Sequence, residues 1–189
     1  MLRPKHNSRG FTLIELMVVI VIIGVLATLG VYGVRKYVFS SKTTEAIHMI
    51  GSIKSAEEAY RAETFTYAGM SRASLASMDS LYPQGTKPGA RKHDWTNTSH
   101  AAYASVWGPL GVLSDSPVMF GYVVASGTGA LETTLGEECT GISWGTRGSN
   151  NTGPWYVVKA VGNLNGDSKY SCFASSSLTG EIFSINGDE

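Results

Sequence analysis

An α+β fold is predicted, with a long N-terminal α-helix set against a roughly four-stranded antiparallel β-sheet. The first half of that helix is expected to be hydrophobic and protruding, and the second half amphipathic and packed on a head. Three observations predict this. Residues 16–34 carry no charged side chain over 19 positions. Apolar residues then recur at three- and four-residue steps as far as Tyr60. In the distal part the pattern changes to short runs rich in β-branched and aromatic residues, bounded by Gly, Asn and Thr. At 189 residues and 43% hydrophobic, the chain supports one compact domain besides the apolar helix. Its expected organisation is a basic leader at 1–10, the helix at 11–63, and a head at 64–189 whose first part, 64–117, is an irregular connection.

The leader holds Arg3, Lys5 and Arg9 and no acid. Without it, 12 basic residues face 15 acidic ones, so the remainder is near neutral to mildly acidic and has no electrostatic footprint for nucleic acid. Direct nucleic-acid binding is therefore not inferred.

The apolar run comes next. As a helix, 19 residues span roughly 28 Å, which matches a bilayer core. Basic residues flank it on both sides, Arg35 and Lys36 following it, so charge orients it only weakly toward a cytoplasmic N-terminus. The residues at its end, Ala27-Thr28-Leu29-Gly30-Val31-Tyr32, make a poor signal-peptidase site. The distinctive junction lies before it, in Ser8-Arg9-Gly10-Phe11-Thr12-Leu13-Ile14-Glu15-Leu16.

This string resembles the processing motif of type IV pilins and of the related pseudopilins of type II secretion. The resemblance implies that a membrane prepilin peptidase cuts between Gly10 and Phe11, that Phe11 becomes an N-methylated N-terminus, and that Glu15 serves in assembly. It covers about ten residues strongly, with the apolar run behind them. The head matches in general layout, and the stretch lacks the proline that many major pilins carry. An ionisable group entering hydrocarbon costs at least about 2.5 kcal/mol and needs a partner or a proton. In a filament the Phe11 amine of one subunit is such a partner for Glu15 of its neighbour. The alternative is that Glu15 is a helix-start residue of a permanent anchor, favoured there by the helix dipole.

Beyond the run, Phe39, Ala46, Met49, Ile50, Ile53, Ala56 and Tyr60 form an apolar stripe, and Lys42, Glu45, Lys54, Glu57, Glu58 and Arg61 are expected on the remaining surface. Gly24, Gly30 and Gly33 each weaken the helix by up to about 1 kcal/mol relative to alanine, which suits either close helix packing or local unwinding. From 63 to 117 the punctuation is Gly, Ser, Thr and Pro, with short helices expected at 71–81 and 100–107. By resemblance this connection lies on the surface. Strands are expected at 118–125, 155–161, 168–174 and 181–185, with Asn165-Gly166 and Thr179-Gly180 as turns.

Cys139 and Cys172 have no metal-type spacing, and a disulfide between them is favoured for an exported head. Two buried thiols is the reading for a cytoplasmic one. Closing the loop would contribute roughly 4 kcal/mol in the chain-entropy model. Asn163, Asn165 and Asp167 alternate as the opening of a calcium loop does. Ser168 then stands where glycine is required and Ala174 where the bidentate glutamate belongs, so a turn is the better reading. His48, His93 and His100 fit no ligand pattern, and no nucleophile stands paired with a base, so neither catalysis nor a cofactor is expected. Phe11, Tyr32, Tyr37, Phe39 and Tyr60 are explained by helix packing and the membrane boundary rather than by electron transfer.

By resemblance, the function expected is that of a pilin polymerising with itself and related pilins into a type IV pilus for motility, adhesion or DNA uptake. Its partners would be the prepilin peptidase, the pilus assembly machinery and the inner membrane. The alternatives are a type II secretion pseudopilin, or an exported enzyme or binding module on a helical tether.

Overall fold

The computed structural model describes residues 10–85, 87–131, 134–167 and 169–187. Arg3, Lys5, Arg9 and Ser168, which the sequence reading used, lie outside them. Helix α1 runs Leu13–Thr64, within two residues of the expected bounds. Its C-terminus closes with the Phe65 amide donating to the Arg61 carbonyl at 2.8 Å, Phe65 adopting the left-handed conformation at φ 61°.

Contacts divide the chain at Val38. In the first unit the aliphatic side chains from Leu13 to Val34 are exposed, and no described residue there is buried. The second unit, from Phe39 onward, is the head.

The head sheet is a meander of β1 (Gly121–Thr128), β2 (Pro154–Gly162), β3 (Ser171–Ser176) and β4 (Phe183–Ile185), all neighbours antiparallel. The expected four strands form, with shifted bounds. Register is fixed by pairs such as Val124↔Val158 and Ala160↔Phe173. Asn165-Gly166 does not make a two-residue hairpin. Residues 163–167 belong to a longer loop between β2 and β3, held by side chains rather than by turn geometry alone.

Both faces of the sheet are buried. Tyr122, Val124, Tyr156, Val158, Ala160 and Phe173 share one cluster with Ala46, Met49, Ile50 and Ile53 of α1. Val123, Ala125, Trp155, Val157, Val161, Cys172 and Ala174 share the other with Leu75, Leu81, Leu131, Leu135 and Trp144. This corrects the expectation that 64–117 lies on the surface. A strand apolar on both faces needs a layer on each, so the connection is drawn into the core. Tyr82, Trp95, Val106, Trp107 and Leu110 are all buried, with Trp107 stacked on Tyr82 at 5.1 Å. The short helices expected in this region form as 3₁₀ turns at Arg72–Leu75 and Met78–Ser80 and as a π turn at Tyr103–Trp107. Met70 and Tyr82 cover the free edge of β1, the Tyr82 and Tyr122 main chains exchanging two hydrogen bonds of 2.7 Å.

The polar residues of α1 do more than face solvent. Lys42 Nζ donates to the Leu164 carbonyl at 2.7 Å, Lys54 Nζ to Ser175 Oγ at 2.9 Å, and Glu45 Oε1 accepts the Met119 amide at 2.6 Å. Glu57 departs furthest from its expected surface position. It is fully buried, because the turn from α1 back onto the sheet closes over it.

Candidate functional site

The residues singled out at the start of the helix form a compact hydrogen-bonded turn. Thr12 is the N-cap of α1, and its Oγ1 accepts the Glu15 amide at 3.3 Å. In return Glu15 Oε2 accepts the Thr12 amide at 2.9 Å and the Thr12 hydroxyl at 2.8 Å. This is a reciprocal capping box: each side chain satisfies a backbone donor that the helix leaves unpaired. Sequence reasoning found Glu15 but missed Thr12, although the Thr-x-x-Glu spacing is the standard sign of such a cap.

The box sets the carboxylate at the positive end of the helix dipole, one turn from Phe11. Phe11 is 85% exposed, and Gly10 before it is exposed as well. An accessible main chain at Gly10-Phe11 therefore adjoins a carboxylate and then an uninterrupted exposed apolar helix. Residues 5–31, which contain this whole arrangement, match the family model described as the prokaryotic N-terminal methylation motif.

The chain carries the N-terminal methylation motif. It also has type IV pilin, fimbrial and type II secretion relatives. It is 45% identical over 56 residues to the fimbrial protein EcpC of Eikenella corrodens, covering 30% of this chain and 37% of that one. It is 38% identical over 66 residues to the type IV major pilin protein PilA of Myxococcus xanthus, covering 35% and 30%. It is 41% identical over 63 residues to the type II secretion system core protein G of Pseudomonas aeruginosa, covering 33% and 44%. The matched part thus spans between about a third and under half of the length of these relatives. No solved structure matches the chain.

In the head of this methylation-motif chain, Cys139 and Cys172 are joined by a disulfide, their Cα atoms 5.5 Å apart. The bond ties the 3₁₀ turn Glu137–Cys139 to β3 on the sheet face away from α1. Beside it lies a group that sequence reasoning passed over. Lys159, fully buried on that face, donates to the carbonyls of Leu75 and Leu135 at 2.6 and 2.8 Å and to Glu138 Oε1 at 2.7 Å. Burial pushes its ammonium below the usual lysine range, and the Glu138 carboxylate opposes that. All three ammonium protons have acceptors, so the cation is satisfied and joins two separate stretches of chain, at Leu75 and at 135–138, to β2.

The alternating residues of the β2–β3 loop turn their oxygens inward to the chain's own donors. Asn163 Oδ1 accepts the Gly166 amide at 2.7 Å, Asn165 Oδ1 the Asp167 amide at 3.0 Å, and Asp167 Oδ1 the Lys169 amide at 2.6 Å. Those are oxygens a cation would need. His48 and His93 are exposed and His100 half-buried. Among the described residues, no three or more His, Cys, Asp or Glu are grouped to hold a metal ion.

Proposed function

We propose that this chain is a structural subunit that polymerises into a type IV pilus, rather than an enzyme. One observation carries the reading. The methylation motif at 5–31 places Gly10-Phe11 and Glu15 at the mouth of an exposed apolar helix long enough to cross a membrane. In this reading 1–10 is a leader that a prepilin peptidase removes, and 11–63 is a helix that waits in the inner membrane and then enters a filament core. The head, 64–189, faces the cell exterior.

The exposed apolar half supplies the driving force. Such a surface is stable in lipid or packed on like helices, and unstable in water. Glu15 supplies register. Once Phe11 carries a free amine, the carboxylate of the next subunit can neutralise it, and pairing at one height fixes otherwise slippery helices. The capping box with Thr12 holds the carboxylate in place before assembly, so helix-start and assembly roles are compatible. The partners are then copies of this chain and related pilins, the peptidase and the assembly machinery.

A type II secretion pseudopilin is the second reading, favoured by the similarity to core protein G. It shares the same N-terminal chemistry and differs in the fibre. The deciding experiment is mass measurement of the mature chain combined with microscopy of sheared cell-surface fibres. A mass beginning at methylated Phe11 with the chain in long fibres is expected. A retained leader with no fibre would leave a tethered module as the better account.

A further inference from the structure

The chain contains the same reactive element twice, as Leu164-Asn165-Gly166-Asp167 and Ile185-Asn186-Gly187-Asp188. Asparagine before glycine reacts with itself. The glycine amide nitrogen attacks Asn Cγ, a new N–C bond forms, the Cγ–Nδ2 bond breaks, and ammonia leaves with the amide proton. Water then opens the succinimide at either carbonyl, yielding aspartate or isoaspartate. Water is the only co-reactant. Glycine makes the pair labile because no Cβ obstructs the approach.

The two elements are nearly identical in covalent terms, so any difference in rate comes from the fold. At Asn165 the attacking and the leaving groups are both tied. The Gly166 amide donates to Asn163 Oδ1 at 2.7 Å, Asn165 Nδ2 donates to Asp167 Oδ2 at 2.8 Å, and Asn165 Oδ1 accepts the Asp167 amide at 3.0 Å. Asn163 is itself buried and anchored by its Nδ2 on the Asp167 carbonyl at 2.6 Å. Reaction there requires three hydrogen bonds to open together.

At Asn186 the attacking and leaving groups are held less among the described residues. The side chain is exposed, and Nδ2 makes one 3.3 Å bond there, to the Tyr170 carbonyl, while the main-chain carbonyl of Asn186 accepts the Ser171 hydroxyl at 2.8 Å. The residue already occupies the left-handed region at φ 52°, a conformation that costs a non-glycine residue energy.

We propose that Asn186 is a deamidation site of this chain, and that the equivalent Asn165 is kept inert by Asn163 and Asp167. The change has local consequences. Asn186 lines a cleft of about 880 Å³ with Glu137, Tyr170 and Ile185, so reaction adds a carboxylate to that surface. Isoaspartate also lengthens the main chain just before Gly187, whose carbonyl accepts the Thr43 hydroxyl of α1 at 2.7 Å. An old head would therefore differ from a new one in charge and in how its C-terminal segment is held to the helix.

The test is to age the full chain in detergent micelles at neutral pH, with its disulfide intact, and to map isoaspartate by peptide mass and enzymatic methylation. A parallel sample is held in urea. In the folded protein Asn186 is expected to react at least about tenfold faster than Asn165, since each extra hydrogen bond slows opening several-fold. In urea the two rates should converge. Asn163→Ala should raise the Asn165 rate about tenfold while leaving Asn186 unchanged. The urea comparison uses the unaltered chain and so stands whether or not that variant folds. Equal rates in the folded protein, or a ratio that urea does not change, would overturn the proposal.

Discussion

Replacing Glu57 by glutamine should stabilise the head at neutral and alkaline pH. The side chain is fully buried, its Oε2 accepts the Ala68 amide at 3.0 Å, and its Oε1 has no partner. Burial raises its pKa from the ordinary 4.5 to about 8, the Ala68 bond opposing and the Glu58 charge adding to the rise. The folded state therefore holds a proton that the unfolded state has released. Its stabilising contribution is complete below pH 4.5 and is lost progressively as pH rises to about 8. The full loss is about 5 kcal/mol, of which about 3 kcal/mol is already gone at pH 7. Glutamine keeps the acceptor for Ala68 and the shape of the protonated acid without the titration. The assay is urea unfolding of the full chain in micelles at several pH values between 5 and 8, taking wild type and Glu57→Gln in parallel. Other groups near this window, including His100, whose pKa burial lowers, are common to both chains and cancel in the difference. The variant should gain on wild type steadily with pH, by up to about 3 kcal/mol at pH 7. A pH-independent difference, or a variant less stable at pH 8, would refute the reasoning.

Other perturbations test other parts. Glu15→Ala should insert in the membrane but enter filaments poorly, because it strands the Phe11 amine of a neighbour in an apolar core; sheared-fibre yield against membrane pool decides. The same change breaks the capping box, which alone costs about 1 kcal/mol and would leave fibres nearly normal. Gly10→Leu should leave unprocessed precursor, visible as a larger mass in the membrane fraction. Reducing Cys139–Cys172, which are 33 positions apart, should lower stability by up to about 4 kcal/mol; two thiols labelled in protein from the cell exterior would oppose the pairing. Lys159→Met should cost about 3 to 5 kcal/mol in unfolding experiments, since it leaves Glu138 beside apolar walls without its cation, and adding Glu138→Gln should recover part of that loss.

Read along the chain, local chemistry was legible. The uncharged run at 16–34, the stripe from Ala46 to Ile53 and the four β-rich runs depend on neighbours within a turn or a pleat, and each became the element expected. The methylation motif that contains Gly10, Phe11 and Glu15 was legible for the same reason, since it is contiguous. The pairing of Cys139 with Cys172 followed from there being only two cysteines.

What only the tertiary structure decided is which surfaces are covered, because burial is settled by residues far apart in the chain. Lys159 sits on β2 and would read as a solvent-facing position, yet carbonyls 84 and 24 residues before it reach over and satisfy its protons. Glu57 shares the helical spacing of its exposed neighbours, and the returning chain at Ala68 closes over it. The connection at 64–117 looks like surface by composition and becomes core because both faces of the sheet have to be covered: Tyr82, Trp95 and Trp107 join the cluster that α1 shares, and Leu75 and Leu81 join the one on the other face. Asn165 and Asn186 make the same point within a nearly identical tetrapeptide. Sequence determines that both can react, and the fold determines which amide is held still, through contacts that Asn163 makes in one loop and that have no counterpart among the described residues of the other.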